Sequence, residues 1–484
     1  MMNDFFPLTR ALRLDSFEGK PIVAIVGGGG KTTAMFRLAS ELAAQGRRVV
    51  TTTTTRLFAS QRAESPAWCA ANELELLGEL LDEHGQCLVT AADSTWADGK
   101  ARGITLEQVA VLAARADVDA VLIEADGSRK RPFKAPASHE PVIPLETTHV
   151  VPVVGADVFG LPLTAKYVHR PERIMALSGA AEGSPVTPDL VARILAHPEG
   201  ALRNVPDGAA FVPFINKVED ENPLRLRYAQ QTAQLLLTSE RVREVLLGSL
   251  HDLTRSNDFS RSGPGRLKSS LRGLGRVSRS AAVVLAAGMA RRFGQTKQLL
   301  EWGGKPLVAH VAEVALAVCN RVLVIVGHEG ERVAAAVAHL PVEVLFNERF
   351  ASGQGTSVAA GAAALVEKSN KSKSGPFIGE AFFMLADQPL VTPRLLEQLR
   401  AARGLRPIAI PRYDGKRGNP VLFDASLLPA LCDASGDVGG RALFEQYRDQ
   451  IAWLNVADAA VLRDVDTPED WHKLTKASAD DIGL

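Results

Sequence analysis

The sequence predicts an α/β protein built from two three-layer α/β/α domains with mostly parallel sheets. Three observations lead there. Short apolar runs alternate with helix-length segments through most of the chain. Those runs are apolar on both faces, as strands covered by helices on both sides must be. Each half also opens with an apolar strand running straight into a glycine turn, and a Ser/Gly/Arg-rich stretch, 251–279, lies between the halves. The predicted strands of the first half are Ile22–Val26, Arg48–Thr52, Ala120–Glu124, His149–Val154 and Ala210–Ile215. Those of the second are Ala281–Ala286, Arg321–Val326, Val342–Phe346, Ala381–Ala386 and Ile408–Pro411.

A chain of 484 residues is too long for one ordinary core, so the expected domains are 1–250 and 280–484, with 251–279 as an exposed linker. A second polar run, Lys368–Gly375, is read as a surface loop, and no internal repeat is present. Hydrophobic residues make up 46% and charged residues 23%, the balance of a soluble globular protein. A formal net charge of zero argues against a nucleic-acid or membrane-surface partner. Cys69, Cys87, Cys319 and Cys432 are widely spaced and read as buried thiols of a reducing compartment. The amino terminus has early acids and no long apolar run, so neither a signal peptide nor a spanning helix is expected, and a cytoplasmic location follows.

The most informative motif lies at Val283–Leu300, where the strand passes through Leu285, Ala286, Ala287 and Gly288 to Arg292 and Lys297. Gly288 lets backbone amides approach a phosphate closely, while Arg292 and Lys297 supply charge to a polyphosphate. Asp387 ends a second apolar strand, where it either caps a turn or holds Mg²⁺ with substrate oxygens. Arg463-Asp-Val-Asp466-Thr-Pro-Glu-Asp470 offers a second acid, Asp466, followed by a helix start with Thr467 as cap and Pro468 at the first position. Gly355 and Ser357 precede a small-residue helix whose amino end suits a phosphate or a base edge.

This order resembles the LAAGxSxRxGxxK signature of the MobA-like nucleotidyltransferases, with Ala290 where the signature has Ser. The resemblance implies Arg292, Lys297 and Asp387 as catalytic residues and Asp387 and Asp466 as Mg²⁺ ligands. It implies Asp437 and Arg441 on the acceptor side, together with the Gly418-Asn-Pro420 turn. Within that family the loop form Leu-Ala-Ala-Gly accompanies CTP, so the implied family is the molybdenum cofactor cytidylyltransferases. CTP and a molybdopterin-type cofactor are then the implied substrates, with the Ala287 methyl expected to narrow the base pocket against a purine.

The first half carries Gly27-Gly-Gly-Gly30-Lys31-Thr32-Thr33 between a strand and a helix that ends near Gly46. The amides of Gly27, Gly28, Gly29 and Gly30 are expected to cradle phosphates, with Lys31 on the β/γ oxygens and Thr32 on Mg²⁺. Thr33 completes the helix start. Val49–Arg56 is strand material whose hydroxyls either pair within the sheet or face the site. Glu124 and Asp126 end a strand, with Asp126 as the metal or water-positioning candidate. His139 and Glu140 are left open between a metal and a cap or salt bridge, and His169 is expected to contact a phosphate or partner rather than zinc. Asn216-Lys217 resembles the start of a guanine-reading motif, with Glu219 where Asp is expected. Together with Arg129–Pro144 and His169-Arg170, the set resembles the YqeC family, an accessory of selenium-dependent molybdenum hydroxylases. ATP or GTP at this site and a hydroxylase apoprotein as partner are what the resemblance implies.

Overall fold

The structure is a computed structural model and describes residues 7–15, 17–92, 99–218, 222–250, 271–289, 293–371, 378–436, 440–465 and 467–482. The chain divides into two compact units, with the boundary between Val277 and Ser278. Residues 251–270, most of the expected linker, fall outside the described residues. Its end, Leu271–Ser278, is a strand on the edge of the first sheet.

The first unit is built on a ten-stranded sheet. In chain order its strands are β1 (Ile22–Gly27), β2 (Val49–Thr53), β3 (Trp68–Ala70), β4 (Gln86–Thr90) and β5 (Ala120–Glu124). They continue with β6 (His149–Gly155), β7 (Ala210–Phe211), β8 (Phe214–Asn216), β9 (Glu244–Leu250) and β10 (Leu271–Ser278). The spatial order is β10-β9-β8-β6-β1-β5-β2-β4-β3, with β7 beside β6. The pairings from β9 across to β3 are all parallel. β1 therefore has a crossover-linked neighbour on each side, and the crevice of such a sheet opens at its carboxyl end. Helix α1 (Lys31–Ala44) starts there. Ile22, Ala24 and Val26 pack into one core with Val121, Ile123, Val150 and Val154. The alternate residues Val23 and Ile25 are buried as well, which is why β1 reads as apolar throughout.

The second unit holds an eight-stranded sheet. Its strands are β11 (Ser280–Ala286), β12 (Arg321–Val326), β13 (Glu343–Phe346), β14 (Glu380–Leu385), β15 (Ile408–Tyr413), β16 (Lys416–Arg417), β17 (Val421–Asp424) and β18 (Ile451–Asn455). The order is β13-β12-β11-β14-β17-β15-β16, with β18 beside β15. The β13-to-β14 part is parallel, whereas β17 enters antiparallel between β14 and β15. The reason is local. Asp414 and Gly415, both at positive φ, turn the chain tightly from β15 into β16, and tight turns join only antiparallel strands. Ala282, Val284 and Ala286 face one core, and Ala281 and Val283 face the other, giving the three layers. No helix among the described residues is long and apolar enough to cross a membrane.

One buried imidazole sets a pH dependence. His149 opens β6 at 6% exposure, with Nδ1 2.8 Å from Thr148 Oγ1, and burial pushes its pKa down to about 4. The unfolded imidazole titrates near 6.5, so the folded state disfavours the added proton. This contribution is complete above about pH 6.5 and is lost as pH falls toward 4, on the order of 3 kcal/mol in all. Denaturant unfolding of His149→Leu is expected to show a flatter acid limb across that window than the parent chain.

Candidate functional site

At the end of β1 the chain has no room for side chains. A Cβ on Gly27 would lie 2.4 Å from Val153 O, one on Gly28 2.4 Å from Arg131 O, and one on Gly29 2.3 Å from Gly155 N. On Gly30 it would meet Asn216 Nδ2 at 2.3 Å. Gly27, Gly29 and Gly30 also have positive φ. The glycine run thus has a packing reason of its own, and three of its amides have partners within the protein. The Gly27 amide donates to Asp126, the Gly28 amide to Val153 O and the Gly29 amide to Arg131 O. The amides of Gly30, Lys31, Thr32 and Thr33 lie at the helix start, where amides lack intrahelical acceptors.

Lys31 lies under the loop, 4% exposed. Its Nζ donates to Gly27 O at 2.8 Å and lies 3.2 Å from Asp126 Oδ1 and 3.6 Å from Glu124 Oε1. Burial opposes the ammonium charge, but Asp126 and Glu124 outweigh it and raise its pKa. The Thr32 hydroxyl donates to Glu124 Oε2 at 2.7 Å and accepts from Gln61 Nε2 at 2.6 Å. Thr32 is thus brought to Glu124, while Asp126 is held by two lysines, Lys31 and Lys134. Asn216 donates to Gly29 O and accepts from the Leu250 amide, so its carboxamide ties the loop to β8 and β9. Lys217 pairs with Asp157 at 2.6 Å, and Glu219 lies outside the described residues.

Glu140 proves to be an ion-pair partner, 2.8 Å from Lys134 Nζ and 2.6 Å from Arg170 Nη1. Burial alone would raise its pKa, but Arg170 and Lys134 override it and bring the carboxyl down to about 2. His139 is exposed, and His169 is lowered to about 4 by burial and then by Arg170 and Lys134. The threonine run is sheet material. Thr52 Oγ1 donates to Val89 O and Thr53 Oγ1 to Glu124 O.

In the second unit, a cavity of about 690 Å³ opens at the carboxyl ends of β11 and β14. Leu285, Ala287, Gly288, Lys297, Gln298, Ser357, Asp387 and Asp464 are among its lining residues. Lys297 Nζ forms an ion pair with Asp387 Oδ2. Gln298, absent from the sequence reading, donates to Gly288 O at 3.1 Å, and Gln388 donates to Asp464 Oδ1 at 2.6 Å. Ala286 is buried in the core instead. Ser357 lies in the first turn of helix α2 (Gln354–Lys371) and accepts from Asn347 Nδ2 at 3.0 Å, while the Gly355 amide donates to Gly436 O at 2.7 Å. Arg292, Asp437, Asp466 and the Arg441 side chain lie outside the described residues. Thr467 caps the final helix with its Oγ1 3.2 Å from the Asp470 amide.

Each unit is thus a three-layer α/β fold whose central strand runs into a glycine turn at the sheet's crevice. The YqeC protein model matches residues 23–172, and the MobA-like NTP transferase domain model matches residues 282–451. The chain is 33% identical over 250 residues to the uncharacterized protein YqeC of Escherichia coli, covering 51% of this chain and 94% of that one. It is 30% identical over 202 residues to the nicotine blue oxidoreductase of Paenarthrobacter nicotinovorans, covering 40% of this chain and 94% of the relative. Against the molybdenum cofactor cytidylyltransferase of Escherichia coli it is 23% identical over 193 residues, covering 39% and 92%. The chain belongs to the YqeC family in its amino-terminal half and carries a MobA-like NTP transferase domain in its carboxy-terminal half.

The two glycine turns differ in one testable respect. A Cβ on Gly288 would meet only Gln298 Nε2, at 3.6 Å. Gly29→Ala is expected to destabilise the first unit by about 2 kcal/mol or more, whereas Gly288→Ala stays within about 0.5 kcal/mol of the parent. Denaturant titration of the full chain reads both.

Proposed function

We propose that the carboxy-terminal unit transfers CMP from CTP to the phosphate of a molybdopterin-type cofactor, releasing pyrophosphate. The observation that carries this reading is the cavity that gathers Lys297, Asp387 and Asp464 opposite the Ala287–Gly288 turn. Its volume suits a nucleotide. A cytidylyltransferase relative that spans the same domain supports the chemistry. The Ala287 methyl lines this cavity beside Gly288, which supports a pyrimidine over a purine.

The acceptor phosphate is ionised at neutral pH and attacks the α-phosphorus without a general base. The bond from the α-phosphorus to the bridging oxygen breaks, and that oxygen leaves with pyrophosphate. Gly288, where a Cβ would meet only the Gln298 side chain, lets the triphosphate approach the backbone. Lys297 and Arg292 neutralise its charge and hold it in line. Asp387 and Asp464 line one cavity and offer the oxygen ligands that Mg²⁺ prefers, with Asp466 two residues beyond. When bound, Mg²⁺ supplies charge neutralisation across the phosphates. Asp437 and Arg441 are assigned to the acceptor side by resemblance.

In the amino-terminal unit we infer an ATP or GTP site that serves molybdenum hydroxylase assembly. Thr32 and Glu124 would hold its Mg²⁺, since the hydroxyl and carboxylate already meet at 2.7 Å. Asp126 then serves to organise the lysines. A tether joining two steps on one cofactor raises local concentration.

Pyrophosphate release, measured on the full chain with a molybdopterin-type acceptor, Mg²⁺ and each NTP in turn, tests the first reading. Release with CTP alone is expected, and Asp387→Ala should reduce it at least about a hundredfold. Release with a different NTP, or none with this acceptor, would sink the cytidylyl assignment.

A further inference from the structure

The run Arg129–Pro144 contributes one buried residue that the proposed nucleotide site does not yet use. Lys134 is 5% exposed, and its Nζ has three partners. They are Asp126 Oδ2 at 3.0 Å, Glu140 Oε2 at 2.8 Å and Gly127 O at 2.7 Å. Its Nζ donates to Gly127 O and Glu140 Oε2 and pairs its charge with Asp126, so Lys134 is engaged within the protein rather than turned toward a phosphate. Its role must run through Asp126 or Glu140.

Lys31 makes that role specific. In this structure its ammonium is folded back onto Gly27 O and Asp126. Engaging a nucleotide phosphate requires it to leave. Asp126 is only 2% exposed, and a buried carboxylate that loses its counter-charge is strongly disfavoured. The side chains form a row of alternating sign: Lys31, Asp126, Lys134, Glu140, Arg170. With Lys31 the row has one positive charge in excess; without it two carboxylates and two cations remain, and the row becomes neutral. Arg170 closes it with two bonds to Glu140, at 2.6 and 3.3 Å.

We propose that Lys134 is a positioning residue of the amino-terminal site, holding the Asp126 carboxylate in place when Lys31 moves to a nucleotide phosphate. Lys134 keeps Asp126 facing the Gly27 amide, 3.0 Å away, so the loop retains its shape through the exchange. Glu140 and Arg170 fix Lys134 from the far side. This inference rests on the reading of the first unit as an ATP or GTP site.

The test is equilibrium binding of Mg·ATP and Mg·GTP to the full chain, counting only the component removed by Lys31→Ala. Lys134→Met is expected to weaken that component about tenfold or more, while Lys134→Arg stays within about threefold of the parent. Placed in an Asp126→Asn background, where no charge is left behind, Lys134→Met should cost nothing further. An equal loss in both backgrounds would show that Lys134 only supports the fold, and parent-like binding by Lys134→Met would overturn the proposal directly. Absence of any Lys31-dependent binding would instead remove the nucleotide reading, and the role of Lys134 with it.

Discussion

Both units are organised around a central parallel strand that ends in a glycine turn. In the first unit the constraint is steric and comes from the protein itself. Val153, Arg131, Gly155 and Asn216 press against positions 27 to 30 so closely that none of them accepts a Cβ. That packing places the start of α1 at the sheet's crevice and locks Lys31 beneath the loop. In the second unit the corresponding turn is open, and Gly288 faces a cavity rather than backbone. The first turn is shaped by what surrounds it, the second by what it leaves room for.

The charged groups follow from this difference. Around the first turn, oppositely charged side chains are buried and neutralise one another, because isolated charges there would be too poorly solvated to persist. Around the second, Lys297, Asp387 and Asp464 line a cavity, where a ligand's charge can join them. On the proposed reading, the first site exchanges buried partners on binding, whereas in the second the Lys297–Asp387 pair opens into a cavity with room for the ligand.

Much of the fold was legible in the sequence, since strands buried on both faces leave continuous apolar runs. β1, β5, β6, β11, β12 and β14 fall where Ile22–Val26, Ala120–Glu124, His149–Val154, Ala281–Ala286, Arg321–Val326 and Ala381–Ala386 predicted them. β10 was not foreseen, because Leu271–Ser278 mixes glycines and arginines with only three apolar residues, and its strand character depends on pairing with β9. The site was legible where local spacing decides it, as with Lys31 and Thr32 beside a helix start. It was not legible where distant segments meet. Nothing in the sequence pairs Thr32 with Glu124, Lys134 with Asp126, or Gln298 with Gly288. The run at 27 to 30 also has a packing reason that no local pattern shows, because each position lies too close to a distant segment to take a Cβ.

The central claim is that one chain carries two independent nucleotide sites. Calorimetric titration of the full chain, with CTP and then with ATP or GTP in the presence of Mg²⁺, tests it most directly. The account predicts two separable binding events: one lost in Asp387→Ala and kept in Lys31→Ala, the other showing the reverse pattern. A single event shared by all nucleotides, or one insensitive to both substitutions, would contradict it.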